Sequence, residues 1–317
     1  MSEPARALSM RYNGRMHGDG DGWVVCERAH RHWGRYGAAG LLVRHRGPDD
    51  DAVLMQHRAD WSHHGGTWGL PGGARDSHET VSAAALREAA EEGGIHPDSI
   101  RLTGVHTADH GGWSYASVLA EPRTSLTPAS TNAESVEVCW QPIEAVDHLP
   151  LHPGFAATWP TLRAVFPPPH LIIDAANVVG SRPDGWWHGR LAAARAFHDE
   201  LAVFAGSGLE PWSWPQHSRV VGLGWVYPGV TMVVEGVARG IDVPADSEVR
   251  VVRAAGSGDD ALVDVVRAHP HAVVVTADRE LRERVGLLGA DVVGPRWLRD
   301  LIDAGDHGSH SGRTETS

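Results

Sequence analysis

Between Gly73 and Ile95 the chain reads GARDSHETVSAAALREAAEEGGI, with Glu79 six positions after Gly73, then Arg87-Glu88, Glu91-Glu92 and Gly94-Ile95. On a helix Glu88, Glu91 and Glu92 stand at i, i+3 and i+4 and share one face. Three carboxylates crowded there repel one another, which a purely structural helix does not need. A hard divalent cation such as Mg2+ or Mn2+ turns that repulsion into oxygen coordination. Magnesium keeps some waters and takes substrate phosphates as further ligands, so the chemistry indicated is cleavage of a phosphoanhydride. A solvated acidic helix face is the competing reading. Against it stands the adjoining loop Trp68-Gly69-Leu70-Pro71-Gly72-Gly73, whose glycines let backbone approach a ligand closely.

A second acidic set lies downstream. HLIIDAAN delivers Asp174 and Asn177, VTMVVEG delivers Glu235, and HAVVVTADREL delivers Thr276 and Asp278. EVRVVRAAGSGDDALVDVV passes from a strand through a Gly-Ser-Gly turn to Asp259 and Asp260 at the opening of a helix. Runs of Val and Ile without alternation are what strands buried on both faces look like, and they imply a parallel sheet covered by helices. Ligands gather at the carboxyl ends of such strands, where these residues fall. Aspartates at strand ends also cap helices and form Asx turns, so each position alone has an ordinary structural explanation.

The elements that position the first set are legible as a helix from about Ser77 to Gly93, with Ser77 or Asp76 as N-cap and Gly93-Gly94 as the stop. Upstream, GAAGLLVRHR and DAVLMQHRA read as paired strands around the turn Gly47-Pro48-Asp49-Asp50-Asp51. Downstream, IRLTGVHTADHGGWSYASVLAEP reads as a hairpin turning at His110-Gly111-Gly112. AESVEVCWQPIEAV is then a strand with a short helix, and HPGFAATWPTLRAVF a closing helix. Glu134 and Glu137 start that later strand and are within reach of the metal as auxiliary ligand or base, or lie on a solvated strand edge. Trp68, Trp113 and Tyr115 are candidates to stack on a nucleobase, although such residues commonly pack in cores.

The fixed positions of the first box resemble the signature of the Nudix hydrolases, over roughly residues 36 to 166. The resemblance implies an α/β/α sandwich with a mixed sheet, and cleavage of a nucleoside diphosphate linked to another group. It further implies metal ligation by Glu88, Glu91 and Glu92, one of Glu91 and Glu92 also activating water, an Arg87–Glu79 brace, and a Gly73 carbonyl in the metal shell. A nucleoside triphosphate, oxidised or not, is the leading substrate, and ADP-ribose or a dinucleoside-type diphosphate the second. Residues 170 to 304 resemble the NYN branch of the PIN-like nucleases through D-x-x-N at Asp174 to Asn177, Glu235, G-D-D at Gly258 to Asp260, and T-A-D-R-E-L from Thr276. That implies a PIN-like α/β/α domain in which Asp174, Glu235, Asp260 and Asp278 hold Mg2+ or Mn2+. Asn177 would orient water or phosphate, Thr276 would support Asp278, and single-stranded RNA would be the partner. The pattern departs at Glu235, where aspartate is expected, and one extra methylene changes the site geometry.

A chain of 317 residues suggests two domains. The division expected is a flexible segment 1–21, a Nudix domain 22–166, a Pro-rich linker 167–169, a NYN/PIN-like domain 170–304 and a disordered tail 305–317. Trp186-Trp187 with Arg190 is an RNA-stacking platform or helix packing. Two cysteines, Cys26 and Cys139, cannot make a disulfide framework, and reduced thiols in a cytoplasmic setting are expected. Cys26-x3-His30-x-His32 looks like half of a zinc site, but no second cysteine pair lies nearby to complete it. No apolar run has the length of a membrane span, and the N-terminus has no apolar signal region. All 28 basic residues are arginine, which excludes Schiff-base and P-loop lysine chemistry. The net charge of -12 argues against broad electrostatic binding of duplex nucleic acid. Two other functional classes fit the same residues: a Nudix-type sensor that regulates the second domain, and an RNA-processing enzyme that trims 5' ends at one site and cuts at the other. Intact glutamates weigh against the sensor.

Overall fold

The computed structural model describes residues 18–47, 51–165, 168–181, 189–215 and 219–308. Trp186-Trp187, Pro167 of the expected linker, most of the expected N-terminal segment, and the tail from 309 lie outside the described residues.

The first half begins with a short antiparallel hairpin, β1 (Trp23–Val25) and β2 (Arg31–Trp33). Strands β3 (Ala38–His45), β4 (Ala52–Arg58), β5 (Trp68–Gly69) and β6 (Gly72–Ala74) lead into helix α1 (Val81–Gly93). Then come β7 (Ile100–Asp109), β8 (Ser114–Pro122), β9 (Ser135–Pro142) and helix α2 (Pro153–Ala164). The hairpin expected around His110 is the β7–β8 pair, and β3 runs parallel to β8 but antiparallel to β4, so the sheet is mixed.

Alternation along β3 and β4 shows how the sheet is covered. Ala39, Leu41, Val43 and Leu54 pack with Ala84, Ala85 and Ala89 of α1. Leu42, Val53 and Met55 face the opposite way, toward Phe155, Trp159 and Leu162 of α2. Successive side chains of a strand point to opposite faces, so a wholly apolar run is what a sheet between two helices requires. The alanines of α1 let that helix lie close to the sheet. Trp159 anchors the other face, and burying a side chain of that size contributes about 2–3 kcal/mol.

The second half runs β10 (His170–Asp174), α3 (Ala175–Gly180), α4 (Arg190–Ser207), β11 (Trp225–Val226), β12 (Gly229–Val234), β13 (Val249–Arg253), α5 (Gly258–Ala268), β14 (Val273–Val275), α6 (Arg279–Gly286), β15 (Asp291–Val293) and α7 (Pro295–Gly308). Five of these strands form an all-parallel sheet in the order β13-β12-β10-β14-β15. Leu171 and Ile173 pack with Phe197 and Leu201 of α4, whereas Ile172 and Val274 pack with Leu262 and Val266 of α5. The chain winds outward from β10 first to one side and then to the other, so the strand order reverses beside β10. A crevice for ligands forms at the carboxyl ends of the strands at such a reversal.

At the start of the first unit the Gly20 amide donates to Asp76 Oδ1 at 2.8 Å, and the Ser77 amide donates to Asp19 Oδ1 at 2.9 Å. Helix α7 continues through Gly308, past the expected boundary at 304. The two halves also share structure: β11 adds to the first sheet, pairing Trp225 with Val105 and Val226 with Gly104. A Cβ on Gly104 would lie 2.9 Å from the Leu223 side chain and 3.1 Å from the Trp225 carbonyl, so a larger residue there would crowd β11. An Arg123–Glu248 ion pair crosses the same junction, and the core below α2 is continuous into the second half. Among the described residues no helix is long and apolar enough to cross a membrane.

Candidate active site

Helix α1 starts later than expected. Thr80 is its N-cap, its hydroxyl accepting from the Ala83 amide at 3.1 Å. Asp76 and Ser77 are taken by Gly20 and Asp19 instead. The stop is Gly94 in the left-handed conformation at φ 65°, its amide donating to the Ala90 carbonyl and that of Ile95 to Ala89. A side chain there would be strained, and the glycine satisfies carbonyls that would otherwise be orphaned.

Between these caps, Arg87 organises the carboxylates. Its guanidinium grips Glu79 with two bonds of 2.8 and 3.0 Å, donates to Glu88 Oε1 at 2.8 Å and to the Ala74 carbonyl at 2.9 Å, and lies 3.5 Å from Glu91. Glu79 also accepts from the Asp76 amide at 3.0 Å. The loop before α1 is thus tied to the helix by a planar two-bond ion pair, the strongest geometry available to it. These contacts hold the Glu79 carboxyl below its ordinary range, and Glu79 in turn raises Arg87.

Glu92 points inward, 4 % exposed, and its Oε2 accepts from the Gly72 amide at 2.8 Å. Burial, then Glu88, pushes its carboxyl up to about 7 against the opposing pull of the Gly72 amide, Gln56 and Arg58. Glu88 is likewise raised to about 7, by burial first, with Arg87 opposing and Glu91 and Glu134 adding repulsion. The backbone of the glycine loop presses on this group: a Cβ on Gly73 would lie 2.5 Å from Glu88 Oε1. The oxygens do not yet converge on one point, because Arg87 takes Glu88 and the Gly72 amide takes Glu92. All donors are hard oxygens, and the like-charge repulsion recorded in Glu88 and Glu92 is what a divalent cation would relieve. The set therefore fits Mg2+ or Mn2+.

The aromatic candidates divide. Trp68 is a core residue on β5, buried and stacked on His57 at 4.8 Å, so it offers no open face to a base. Trp113 already has a ring stacked on it, that of His32 at 3.9 Å. Tyr115 forms the floor behind the carboxylates: a Cβ on Gly40 would lie 2.1 Å from its hydroxyl, and burial, helped by Glu92 and Glu88, pushes the phenol up. Glu134 sits just before β9, where its carbonyl accepts from the Ala59 amide at 2.8 Å and its charge reaches Glu88. Sequence reasoning passed over Arg58, at the end of β4. Its charge acts on Glu92, Tyr115 and His152, and burial, followed by His64 and Arg58, lowers the His152 imidazole to about 4. An arginine ending the strand that precedes the glycine loop was the available signal.

At the carboxyl edge of the parallel sheet, Asp174 ends β10. It accepts from the Asn177 amide at 3.0 Å, capping α3, and from the Thr276 hydroxyl at 2.9 Å. Asn177 accepts from the Ala277 amide at 2.8 Å, so it braces the β14 loop. Asp278 caps α6 through the Leu281 amide at 2.9 Å, and Thr276 accepts from the Asp278 amide at 3.1 Å. Glu235 accepts from the Gly258 amide at 2.9 Å, where a Cβ would come within 2.7 Å of its carboxylate. Asp260 does not join them. It is exposed and paired with Arg284 at 2.5 Å, and its neighbour Asp259 faces the cluster instead. Burial first, then Asp278, raises the Asp259 carboxyl; burial raises Asp174, with Asp259 and Glu235 adding.

Comparison with known proteins bears on the first half of the chain. The NUDIX domain family matches residues 35–163. A putative 8-oxo-dGTP diphosphatase 3 of Mycobacterium tuberculosis is 51% identical over 159 residues, which are 48% of this chain and 73% of that protein. A nucleoside triphosphate pyrophosphatase/Nudix hydrolase fusion protein of Bifidobacterium longum is 42% identical over 154 residues, 47% of this chain and 32% of that one. Among solved structures, the Nudix hydrolase RenU from M. smegmatis is 48% identical, with 46% of this chain and 94% of that chain covered and a TM-score of 0.44.

Proposed function

This chain belongs to the Nudix family, and from that premise we propose that it hydrolyses a nucleoside triphosphate to the monophosphate and pyrophosphate, with Mg2+ or Mn2+ held by Glu88, Glu91, Glu92 and the Gly73 carbonyl. When bound, the cation polarises the phosphoanhydride and makes water a better nucleophile. Glu91 or Glu92 takes the proton of the attacking water as the new oxygen–phosphorus bond forms and the anhydride bond breaks. Arg87 and Glu79 keep the glycine loop seated on α1, and Arg58 meets the negative charge of the phosphates. An oxidised purine nucleoside triphosphate is the preferred substrate, in keeping with the name of the M. tuberculosis relative. ADP-ribose and dinucleoside polyphosphates rank second. The observation carrying this reading is the Arg87 lattice, which joins Glu79 and Glu88 across loop and helix. It is tested by incubating the protein with NTPs, oxidised dGTP, ADP-ribose and dinucleoside polyphosphates under Mg2+ and following products by chromatography. Pyrophosphate and a monophosphate from the triphosphates are expected; inertness toward the whole panel would overturn the reading.

For the second half we propose a NYN/PIN-like domain, beginning at about residue 170, whose acidic edge takes a divalent cation and single-stranded RNA. The grouping of Asp174, Glu235, Asp259 and Asp278 where the strand order reverses supports it. Cleavage of a single-stranded RNA that persists in Glu92→Gln and stops in Asp174→Asn is the expected result.

A further inference from the structure

The half-site Cys26-x3-His30-x-His32 has no role in either reading above, yet the fold completes it. His110, from the turn between β7 and β8, meets these three residues. One ligand atom from each of Cys26, His30, His32 and His110 lies within 4.8 Å of all the others. We propose that these four side chains bind a zinc ion, which staples the β1–β2 hairpin to the β7–β8 turn.

Four observations carry the assignment. The donor set is one thiol and three imidazoles, the combination that suits a borderline-soft tetrahedral ion and not Mg2+. With bonds of about 2.0–2.3 Å, neighbouring donors of a tetrahedral site sit roughly 3.3–3.8 Å apart, so small side-chain rotations close the cluster. His32 Nε2 and His110 Nδ1 are buried without a hydrogen-bond partner. Buried polar atoms are ordinarily paired, and an imidazole nitrogen left open beside a buried cysteine is a lone pair awaiting a cation.

The backbone fixes the ligands in advance. The Cys26 amide donates to the His30 carbonyl at 3.0 Å and the Ala29 amide to the Cys26 carbonyl at 2.9 Å, with Ala29 at φ 59° closing a tight turn. That turn is docked on the other: the Glu27 amide donates to the Gly111 carbonyl and Arg28 to the Asp109 carbonyl, each at 2.9 Å. A Cβ on Gly111 would meet the Glu27 carboxylate at 2.5 Å. Stacking on Trp113, whose indole donates to the Gly34 carbonyl at 3.0 Å, sets the plane of the His32 ring. Four protein ligands leave no open position, so the ion is structural and not catalytic. Its effect extends toward α1, because residues next to this hairpin, Asp19 and Gly20, hold Ser77 and Asp76 of the loop that carries Glu79.

The test is metal analysis of the full chain expressed with zinc and passed over a chelating resin. A single zinc per chain is expected in wild type and in Glu92→Gln, and near-zero zinc in Cys26→Ser and His110→Ala. Cobalt substitution gives a readout in the wild-type fold itself: Co2+ should produce a thiolate-to-cobalt charge-transfer band with intense tetrahedral d–d bands, and Cys26→Ser should lose the former. Wild type without stoichiometric zinc, undiminished zinc in Cys26→Ser and His110→Ala, or a cobalt spectrum lacking the thiolate band would each overturn the proposal.

Discussion

On α1, a single guanidinium gathers Glu79, Glu88 and Glu91 while Glu92 turns inward to the Gly72 amide. At the carboxyl edge of the parallel sheet, Asp174 and Asp278 each cap a helix, Glu235 holds the Gly258 amide, and Asp260 leans away to Arg284. Both regions concentrate carboxylates, but they bear them differently. In the first, buried carboxylates repel one another and an arginine holds the surrounding loop in place, so charge is held in readiness for a cation. In the second, most carboxylates already accept backbone amides, so the same residues have a structural duty that a cation would share. Acidic composition alone does not separate these cases; the partners of each oxygen do.

Substitutions should widen that contrast. Glu92→Gln should lower nucleotide hydrolysis by about 10²–10⁴-fold, as loss of a metal ligand or base requires, with rates read by pyrophosphate release. Asp259→Asn should lower RNA cleavage by about 100-fold, whereas Asp260→Asn, which only loses an exposed pair with Arg284, should leave it nearly unchanged; equal effects would remove Asp259 from the cluster. Glu79→Gln loosens the Arg87 brace without touching the ligands and should reduce hydrolysis about 10- to 100-fold.

Stability should respond to pH in the first region and to the loss of a helix cap in the second. Glu88 and Glu92 rise from 4.5 to about 7, so between those values the folded metal-free protein binds more protons than the unfolded chain. Its stability should fall as pH rises through that window and level off above it, and Glu92→Gln should flatten the slope in chemical denaturation. Cation binding requires the ionised carboxylates, so Mg2+ affinity should climb over the same window. At the other edge, Asp278→Ala removes the cap of α6 and should cost about 1 kcal/mol at neutral pH, seen as a lower denaturation midpoint.

The parts of this structure visible in the sequence are those in which rigid local geometry converts spacing into position. Glu88, Glu91 and Glu92 follow from helical periodicity, and the two-sided apolar runs of β3 and β10 follow from sheets covered on both faces. Where tertiary partners compete, local reading failed. Asp76 and Ser77 are good N-caps, but Gly20 and Asp19 claim them and Thr80 caps the helix. Asp259 and Asp260 differ by one helical step, and the Gly256-Ser257 turn before them hides which one faces inward. Trp68 joins the core because β5 pairs with β4. His110 and the two-residue β11 carry no periodic signal; only long-range pairing brings them to Cys26 and to β7.

In the proposed function, nucleotide chemistry belongs to α1 and its glycine loop and not to the parallel-sheet edge. Its most direct test is the rate of pyrophosphate release from the best nucleoside triphosphate under Mg2+, measured side by side for wild type, Glu92→Gln and Asp174→Asn. The prediction is a loss of about 100-fold or more in Glu92→Gln with an unchanged rate in Asp174→Asn. An undiminished rate in Glu92→Gln, or a comparable loss in Asp174→Asn, would contradict it.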